Sequence, residues 1–135
     1  MPELEFRPKV VLALIENDGK FLLIRRKVRL GKLEWAFPGG VTHEEETEEE
    51  SVAREIKEEV GLDVEVKKKL LERKHPDTFV QIAYYHCSVT NNRNPKVGEP
   101  HEIAEVAWVH AKEVLIKFTS DVDPIIQKFI LSRAK

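Results

Sequence analysis

The segment 39–62 constrains the fold of this chain more than any other part of its sequence. It reads GGVTHEEETEEESVAREIKEEVGL, so a Gly-Gly turn is followed by a short run of helix-forming residues. Thr47 and Glu50 have the spacing of a capping box, which predicts that a helix begins after Thr47. Gly61 suits a C-terminal cap, which predicts that the helix ends there. Both ends of this helix are therefore predicted from local sequence.

Two kinds of side chain lie on different faces of the predicted helix. One face is an apolar stripe that should pack against a core, with Val52, Ala53, Ile56 and Val60. Another face carries three acidic residues related by three and four positions, which are Glu55, Glu58 and Glu59. Such carboxylates can hold divalent cations beside a phosphate-bearing substrate. A solvated acidic helix is the plainer interpretation. It explains the stretch 44–50 but not the order of residues downstream.

The same segment resembles the signature of the Nudix hydrolases, which hydrolyse nucleoside diphosphates linked to another group. The match covers the fixed positions of that signature, which are Gly40, Glu46, Arg54-Glu55-Ile56, Glu58-Glu59 and Gly61-Leu62. Many members carry Glu where His43 stands and Gly where Glu45 stands. Since Gly readily takes positive φ and Glu does not, the loop backbone can differ at Glu45. The resemblance implies an α/β fold, the Nudix α/β/α sandwich, with a mixed β-sheet between helices.

The resemblance also implies a metal site. Its ligands would be the carboxylates of Glu55, Glu58 and Glu59, together with the backbone carbonyl of Gly39. Mg²⁺ is the expected ion, with Mn²⁺ as a substitute, because Mg²⁺ prefers hard oxygen ligands. Among the implied catalytic residues, Glu55 or Glu58 would act as general base toward the attacking water, and Arg54 would orient a carboxylate.

Two supporting roles follow from the same resemblance. Glu46 is expected to hold the loop against the helix. A further acidic ligand or base is expected from the late segment GEPHEIAEVAW, whose candidates are Glu99, Glu102 and Glu105. We favour Glu102 as this ligand, and a plain solvated carboxylate is the alternative for each of the three.

The stretch FLLIRRKVRLGKLEWAFPGG looks like the corresponding part of MutT-like nucleoside triphosphate pyrophosphohydrolases. Arg25 ends a predicted strand there, followed by Arg26, and a guanidinium suits bidentate bonds to phosphate oxygens. We favour Arg25 for phosphate contact, with an exposed basic strand end as the alternative.

Four further positions are candidates for substrate contact. Gly40 belongs to the turn at the site, and Trp35 and Phe37 precede it. One of the two aromatic residues can stack on a base, but core packing of both is the favoured interpretation. Asp121 precedes the last predicted helix, where MutT-like enzymes place a base-reading acidic residue. Asp121 or Asp123 can equally be a helix cap, which is the more common role.

Strands are predicted on both sides of the acidic helix. The apolar run 10–15 indicates a strand buried on both faces. Asn17-Asp18-Gly19 then indicates a hairpin turn into a second strand over 21–24. Further strands are predicted over 64–71, 79–90 and 104–110. Asp123-Pro124 begins a C-terminal helix. Strands mixed with two helices predict a sheet between helices.

Composition excludes several classes of function. A chain of 135 residues fits one domain over 1–135, and its formal charge of −2 gives no basic field for a nucleic acid polymer. The single cysteine, Cys87, excludes an intrachain disulfide framework. We expect no signal peptide, because the N-terminal residues MPELEFRPK contain no apolar core, and we find no apolar run long enough to span a membrane. We therefore expect a cytoplasmic protein that is a monomer or a homodimer.

The favoured function is Mg²⁺-dependent hydrolysis of a nucleoside triphosphate or deoxynucleoside triphosphate to the monophosphate and pyrophosphate. ADP-ribose and dinucleoside polyphosphates are the alternative substrates within the same chemistry. A non-catalytic nucleotide-sensing domain is less favoured, because the chain keeps every carboxylate of the signature. An isomerase of prenyl diphosphates on the same fold is less favoured still.

Overall fold

A seven-stranded mixed sheet organises the part of the chain that a computed structural model describes, residues 5–27, 33–76, 78–90, 94–118 and 122–134. The strands are β1 (Val10–Asn17), β2 (Lys20–Lys27), β3 (Leu33–Ala36), β4 (Gly39–Val41), β5 (Val64–Lys74), β6 (Gln81–Val89) and β7 (Ile103–His110). The helices are α1 (Glu48–Val60), α2 (Ala111–Lys117) and α3 (Pro124–Ser132). The main path of the sheet runs β3-β2-β1-β6-β5, with β4 added to β1 and β7 added to β2.

Each face of the sheet carries its own hydrophobic core. On one face, Val52 and Ile56 of α1 pack in a cluster with Val11 of β1. On the other face, Ile126 of α3 packs in a cluster with Leu14 of β1. Strand β1 is thus buried on both faces, as its apolar run predicts. The predicted α/β fold, with a mixed sheet between helices, is confirmed.

Strands β1 and β2 separate soon after the hairpin that joins them. Their pairing is limited to Glu16↔Phe21 and Asn17↔Lys20. Further from the hairpin, β1 pairs instead with β4, from Val10↔Val41 to Leu12↔Gly39. A cleft therefore opens beside the first half of β1, and the chain leads from β4 into the loop before α1.

The predicted helix ends are confirmed. The hydroxyl of Thr47 accepts the N–H of Glu50 over 3.1 Å, and the carboxylate of Glu50 accepts the N–H of Thr47 over 2.9 Å. Gly61 ends α1 in the left-handed region, with φ of 71°, a conformation that glycine adopts without strain. Asp123 caps α3 by accepting the N–H of Ile125 over 2.8 Å.

Some elements differ from the predicted ones. Helix α2 was not predicted, because it is short and buries only Ala111 and Val114, too few residues to give a periodic signal. The short strands β3 and β4 were also not predicted. Strand β6 begins at Gln81 rather than at residue 79, since Phe79 has a φ of 62°, which lies outside the β region.

Candidate active site

A cavity of about 390 Å³ lies where α1, the cleft beside β1 and the segment before β7 meet. Four carboxylates line it, Glu55 and Glu59 of α1 and Glu99 and Glu102 of the late segment. Its other lining residues are Val10, Leu12, Arg26, Gly39, Gly40 and Val41. We call this space the acidic cavity. Two distant parts of the chain supply its carboxylates.

The late segment reaches the acidic cavity because it is bonded to the end of α1. The N–H of Gly98 donates to the carbonyl of Glu59 over 2.8 Å, and the N–H of Lys96 donates to the carbonyl of Val60 over 2.9 Å. These bonds use carbonyl groups that the last turn of a helix leaves without helical partners. The helix end thereby positions Glu99 beside the carboxylates of α1.

Glu59 is the buried carboxylate of the site. It is 2% exposed, and its Oε1 accepts the N–H of Gly39 over 2.7 Å. Burial raises the pKa of Glu59 to about 7, against the lowering effects of the Gly39 bond and of Arg26. Nearby Glu55 and Glu99 raise it further. A buried acid of this kind carries negative charge at a high energetic cost, which a cation would relieve.

Arg54 is bonded to two acidic side chains of α1, Glu55 and Glu58, and to Glu46 of the loop before it. Its Nε donates to Glu46 over 2.7 Å, and its Nη1 donates to Glu55 over 2.9 Å and to Glu58 over 3.3 Å. Its Nη2 donates to the carbonyl of Val41 over 3.0 Å. Glu46 also accepts the hydroxyl of Ser51 over 2.8 Å, so the loop is bonded to the helix, as the resemblance implies.

Glu58 stands apart from the other two carboxylates of α1. Its side chain is 53% exposed, and it is not among the residues that line the acidic cavity. Its role as a metal ligand therefore remains a prediction that requires its side chain to turn toward the acidic cavity.

Gly40 lies directly against Glu55. A Cβ atom at position 40 would overlap the carboxylate of Glu55, so only glycine leaves room for that side chain. Substrate contact by Gly40 remains a prediction, but the close approach gives an independent reason for glycine there. Glu45, which replaces the commoner Gly in the loop, is not among the non-glycine residues with positive φ. Its backbone therefore shows no strain of the kind that glycine would relieve.

The two neighbouring arginines of β2 are placed differently. Arg26 lines the acidic cavity and its Nη2 lies 3.7 Å from Glu102. Arg25 is not among the lining residues, and its Nη1 pairs with Glu105 of β7 over 3.3 Å. Phosphate contact by Arg25 remains a prediction, whereas Arg26 is the arginine that the fold brings to the carboxylates. Of the late acidic candidates, Glu99 and Glu102 reach the cavity and Glu105 does not.

A second cavity, of about 210 Å³, adjoins the first and shares Leu12 and Arg26 with it. Aromatic residues dominate its lining, which comprises Leu12, Arg26, Glu34, Trp35, Ala36, Phe37, Arg73, Ile82, Tyr84, Phe118 and Val122. We call this space the aromatic cavity. Phe37 is 4% exposed and packs on Phe118 with ring centroids 4.9 Å apart, so its core role is confirmed. Trp35 is partly exposed and lies 5.1 Å from the Nζ of Lys117.

The sequence analysis named one residue next to the aromatic cavity, Asp121, and missed three of the residues that line it. Asp121 lies outside the described residues, although its neighbour Val122 lines the aromatic cavity. Sequence reasoning did not single out Glu34, Arg73 or Tyr84. Nothing in the sequence marks them, because β3 and β5 lie at opposite ends of the main path of the sheet and contribute to one cavity only in the folded chain.

The carboxylate oxygens of the acidic cavity are the type of ligand that divalent cations such as Mg²⁺ prefer. Among the described residues, no three His, Cys, Asp or Glu side chains are grouped so as to hold a metal ion in this conformation. Burial raises the pKa of Glu99, and the charges of Glu102, Glu55 and Glu58 raise it further. Mg²⁺ binds hard oxygen donors, and a cation would lower the repulsion among these carboxylates. The residues therefore fit such an ion if Glu58 turns toward the acidic cavity and Glu55, whose Oε1 accepts from Arg54, offers its Oε2.

Comparisons with known proteins agree with this geometry. Residues 5–129 match the sequence model of the NUDIX domain family. It is 27% identical to the CTP pyrophosphohydrolase of Escherichia coli K12, over 93% of each chain. It is 50% identical over 64 residues to the ADP-ribose pyrophosphatase of Methanocaldococcus jannaschii, which is 47% of this chain but only 38% of that relative.

A solved structure agrees with the fold. The crystal structure of a MutT NUDIX hydrolase from Burkholderia pseudomallei superposes with a TM-score of 0.69 and 25% identity, over 97% of this chain and 100% of that one. The family match spans nearly the whole described chain, and Gly40, Glu55 and Glu59 of the signature line one cavity. This protein therefore belongs to the NUDIX domain family, as a MutT-like hydrolase that acts on pyrophosphate bonds.

Proposed function

We propose that this protein is a divalent-metal-dependent hydrolase that converts a nucleoside triphosphate to the monophosphate and pyrophosphate. One observation carries the proposal: the acidic cavity adjoins the aromatic cavity, and Arg26 belongs to both linings. A nucleotide has the same order of parts, with a phosphate chain beside a flat base. The adjoining cavities therefore suit a substrate that has both.

Arg26 would bind the phosphate chain in this proposal. A guanidinium carries five donors, and the contact of Arg26 with Glu102, at 3.7 Å, is too long to occupy them as a hydrogen bond would. Its position between the two cavities suits phosphate oxygens next to the nucleoside. Arg25, the arginine that the sequence favours, would then contact the phosphate chain only where that chain extends beyond the cavity.

The nucleoside would lie in the aromatic cavity. Phe37 is fixed by its packing on Phe118 and forms a rigid wall. Trp35 remains partly exposed, and its ring would stack on a base if Lys117, whose Nζ lies 5.1 Å from the ring centroid, moved aside. Asp121 remains a proposed base contact, because it adjoins Val122 in the chain.

The metal would be held by Glu55, Glu58, Glu59 and Glu102, with the backbone carbonyl of Gly39. When bound, Mg²⁺ or Mn²⁺ supplies charge neutralisation at the phosphates and a water of lowered pKa. Arg54 positions Glu55 and Glu58 before the ion arrives. The hydrogen bond from the N–H of Gly39 holds the carboxylate of Glu59 against β4. A carboxylate of α1 or of the late segment accepts the proton from the attacking water.

The similarity to a CTP pyrophosphohydrolase over most of both chains supports a triphosphate substrate. A small-molecule substrate also agrees with the absence of a net basic charge. Among the described residues, no helix is long and apolar enough to cross a membrane.

The test is a hydrolysis screen with purified protein in Mg²⁺, in Mn²⁺ and in EDTA. Substrates are normal and oxidised nucleoside triphosphates, ADP-ribose and dinucleoside polyphosphates, with products separated by chromatography. We expect metal-dependent release of a monophosphate and pyrophosphate from at least one triphosphate. Release of orthophosphate alone, or full activity in EDTA, would contradict the proposal.

ADP-ribose is the second candidate substrate, because the 50% identical segment belongs to an ADP-ribose pyrophosphatase. Its hydrolysis would give AMP and ribose 5-phosphate, which the same chromatography distinguishes. Activity on ADP-ribose alone would keep the site chemistry and replace the triphosphate.

A further inference from the structure

Gly98 lies closer to the last turn of α1 than a residue with a side chain could. A Cβ atom at position 98 would stand 2.1 Å from the carbonyl oxygen of Glu58 and 3.0 Å from that of Glu59. Both oxygens belong to the helix backbone, so neither can move aside as the end of a flexible side chain can. Gly98 is not among the described glycines with positive φ. Glycine is therefore required at position 98 by the lack of space and not by the backbone conformation.

The close contact belongs to a short stretch of chain, residues 96–99, which we call the anchored segment. The N–H groups of Gly98 and Lys96 donate to two carbonyls in the last turn of α1, over 2.8 and 2.9 Å. Between these two donors, the partly buried Val97 packs against the hydrophobic core that contains Val60. Two hydrogen bonds, one apolar contact and the absence of a side chain at position 98 thus hold the anchored segment on α1.

Glu99 takes its position from α1 because it ends the anchored segment. It is partly buried and lines the acidic cavity together with Glu55 and Glu59. Glu102, by contrast, is attached to the sheet, since its carbonyl accepts the N–H of Lys27 at the end of β2 over 2.8 Å. The two late carboxylates of the cavity are therefore held by different elements, Glu99 by α1 and Glu102 by β2.

We infer that Gly98 is a positioning residue for the cation site, because its contact with α1 holds the carboxylate of Glu99 beside Glu55 and Glu59. This inference rests on the proposed function, which supplies the divalent cation. A methyl group at position 98 would need about 3.3 Å from a carbonyl oxygen, so the anchored segment would have to move away from α1 by about 1 Å. Oxygen ligands of Mg²⁺ lie at about 2.0–2.1 Å in near-ideal octahedral geometry. A displacement of that size would take Glu99 out of the coordination sphere.

Binding of Mn²⁺ to the metal-free protein tests the inference without any substrate. Electron paramagnetic resonance of the free ion gives the dissociation constant for the wild type, Gly98→Ala, Glu99→Gln and the double variant. We expect each single variant to bind Mn²⁺ about 10- to 100-fold more weakly, the usual effect of disturbing the groups that hold a metal ion. The double variant should bind within about twofold of Glu99→Gln, because both changes act through the same carboxylate. Unchanged affinity in Gly98→Ala, or two effects that multiply in the double variant, would overturn the inference.

Gly19→Ala separates positioning from loss of stability. Gly19, in the turn between β1 and β2, has a φ of +73° and nothing within 4 Å of an added Cβ. Alanine there is strained but displaces no neighbour, so the melting temperature should fall while the affinity for Mn²⁺ stays at the wild-type value. An equal loss of affinity in Gly19→Ala and Gly98→Ala would assign the effect to instability and overturn the inference.

Glu102→Gln separates the two late carboxylates. Because Glu102 is held by β2, Gly98→Ala should weaken Mn²⁺ binding by its full factor in a Glu102→Gln background. A Gly98→Ala effect that vanished beside Glu102→Gln and persisted beside Glu99→Gln would overturn the role of Glu99.

Val97→Ala tests the same attachment without a steric clash, in case Gly98→Ala does not fold. It removes the apolar contact that holds the anchored segment, so Mn²⁺ binding should weaken, and the weakening should disappear beside Glu99→Gln. Unchanged affinity, or a weakening that persists beside Glu99→Gln, would overturn the inference. A wild type that binds no Mn²⁺ would do so too, whereas a failed hydrolysis screen would refute only the proposed function.

Discussion

The Nε atom of Arg54 donates to Oε2 of Glu46 over 2.7 Å, and this bond joins the acidic face of α1 to the loop that precedes it. The same guanidinium donates to Glu55, Glu58 and the carbonyl of Val41. Only a planar fork with several donors can meet these acceptors together. Arg54 is therefore a positioning residue for two proposed metal ligands.

We expect Arg54→Lys to lower Mn²⁺ affinity or turnover by about 10- to 100-fold, the usual effect of removing a group that orients metal ligands. A lysine ammonium is a single point charge and cannot reach the loop and both carboxylates at once. Titration with Mn²⁺ and steady-state kinetics measure the two quantities, and thermal unfolding shows whether the fold is kept.

The control for Arg54 is Lys57→Arg on the same helix. The Lys57 side chain is 58% exposed and pairs only at the surface, with Asp63 over 3.2 Å. Its replacement should leave metal affinity and turnover at wild-type levels. If Arg54→Lys and Lys57→Arg had the same metal affinity and turnover, Arg54 would not be a positioning residue.

Glu58→Gln tests the proposed ligand that stands outside the cavity. The amide keeps the shape but loses the charge, so turnover should fall by about 10²- to 10³-fold, as when one electrostatic stabiliser of a reaction is lost. Stability should change by less than about 0.5 kcal/mol, because the side chain is half exposed. Kinetics with saturating Mg²⁺ and urea unfolding give the two values, with Glu65→Gln as the surface control. A folded variant with full activity would remove Glu58 from the ligand set.

Helix α1 was predictable because its signals are local. Thr47, Glu50 and Gly61 set its ends, and the positions of Val52, Ile56 and Val60 set its buried face, so no distant contact was needed. The burial of β1 on both faces was readable for the same reason, from one continuous apolar run.

The substrate side was less predictable, because it depends on contacts between distant strands. The pairing of β2 with β7 shifts register through an extra residue on β7, Ala104, whereas β2 itself alternates regularly, so alternation places Arg25 and Arg26 on opposite faces but does not tell which face holds the cavity. The pairing of β5 with β6 shifts register between Lys69 and Leu71, just before Arg73. A bulge inserts a residue and re-aims the side chains that follow it, and its place is not visible in the sequence.

Low pH should lower the free energy of unfolding, partly because Glu48 becomes protonated. Burial opposes the charge of Glu48, but hydrogen bonds from Lys9 over 2.6 Å, from Tyr85 over 2.5 Å and from Lys69 over 3.0 Å outweigh it. They lower the pKa of Glu48 from 4.5 to about 2. Since the folded pKa is depressed, the stabilisation is complete above pH 4.5 and is lost as pH falls toward 2.

Glu48→Gln measures this contribution. The variant should lose about 1–2 kcal/mol at pH 7, an amount discounted for partial exposure, and the gap from wild type should narrow below pH 4. Urea unfolding at several pH values gives the free energies, with Glu45→Gln in the exposed loop as the control. A gap that stayed constant down to about pH 2 would show that the Glu48 charge is not the cause.

In the absence of metal, Glu59 should make the free energy of unfolding fall as the pH rises, which is opposite to the effect of Glu48. Burial raises its pKa from 4.5 to about 7, so the folded state keeps a proton that the unfolded state releases. Stability in EDTA therefore falls as pH rises from 4.5 through 7. Glu59→Gln removes this loss and still offers an oxygen to the N–H of Gly39. The variant should be more stable than wild type by about 2–3 kcal/mol at pH 8 and similar to it at pH 5.

Mg²⁺ gives the decisive comparison for Glu59. A cation that binds the ionised carboxylate stabilises the folded wild type by linkage, so adding Mg²⁺ at pH 8 should reduce the advantage of Glu59→Gln. Urea unfolding at pH 5 and pH 8, in EDTA and in Mg²⁺, provides the four values. If wild type in EDTA were as stable at pH 8 as the variant, Glu59 would carry its charge without cost. The need for a cation at this buried carboxylate would then disappear.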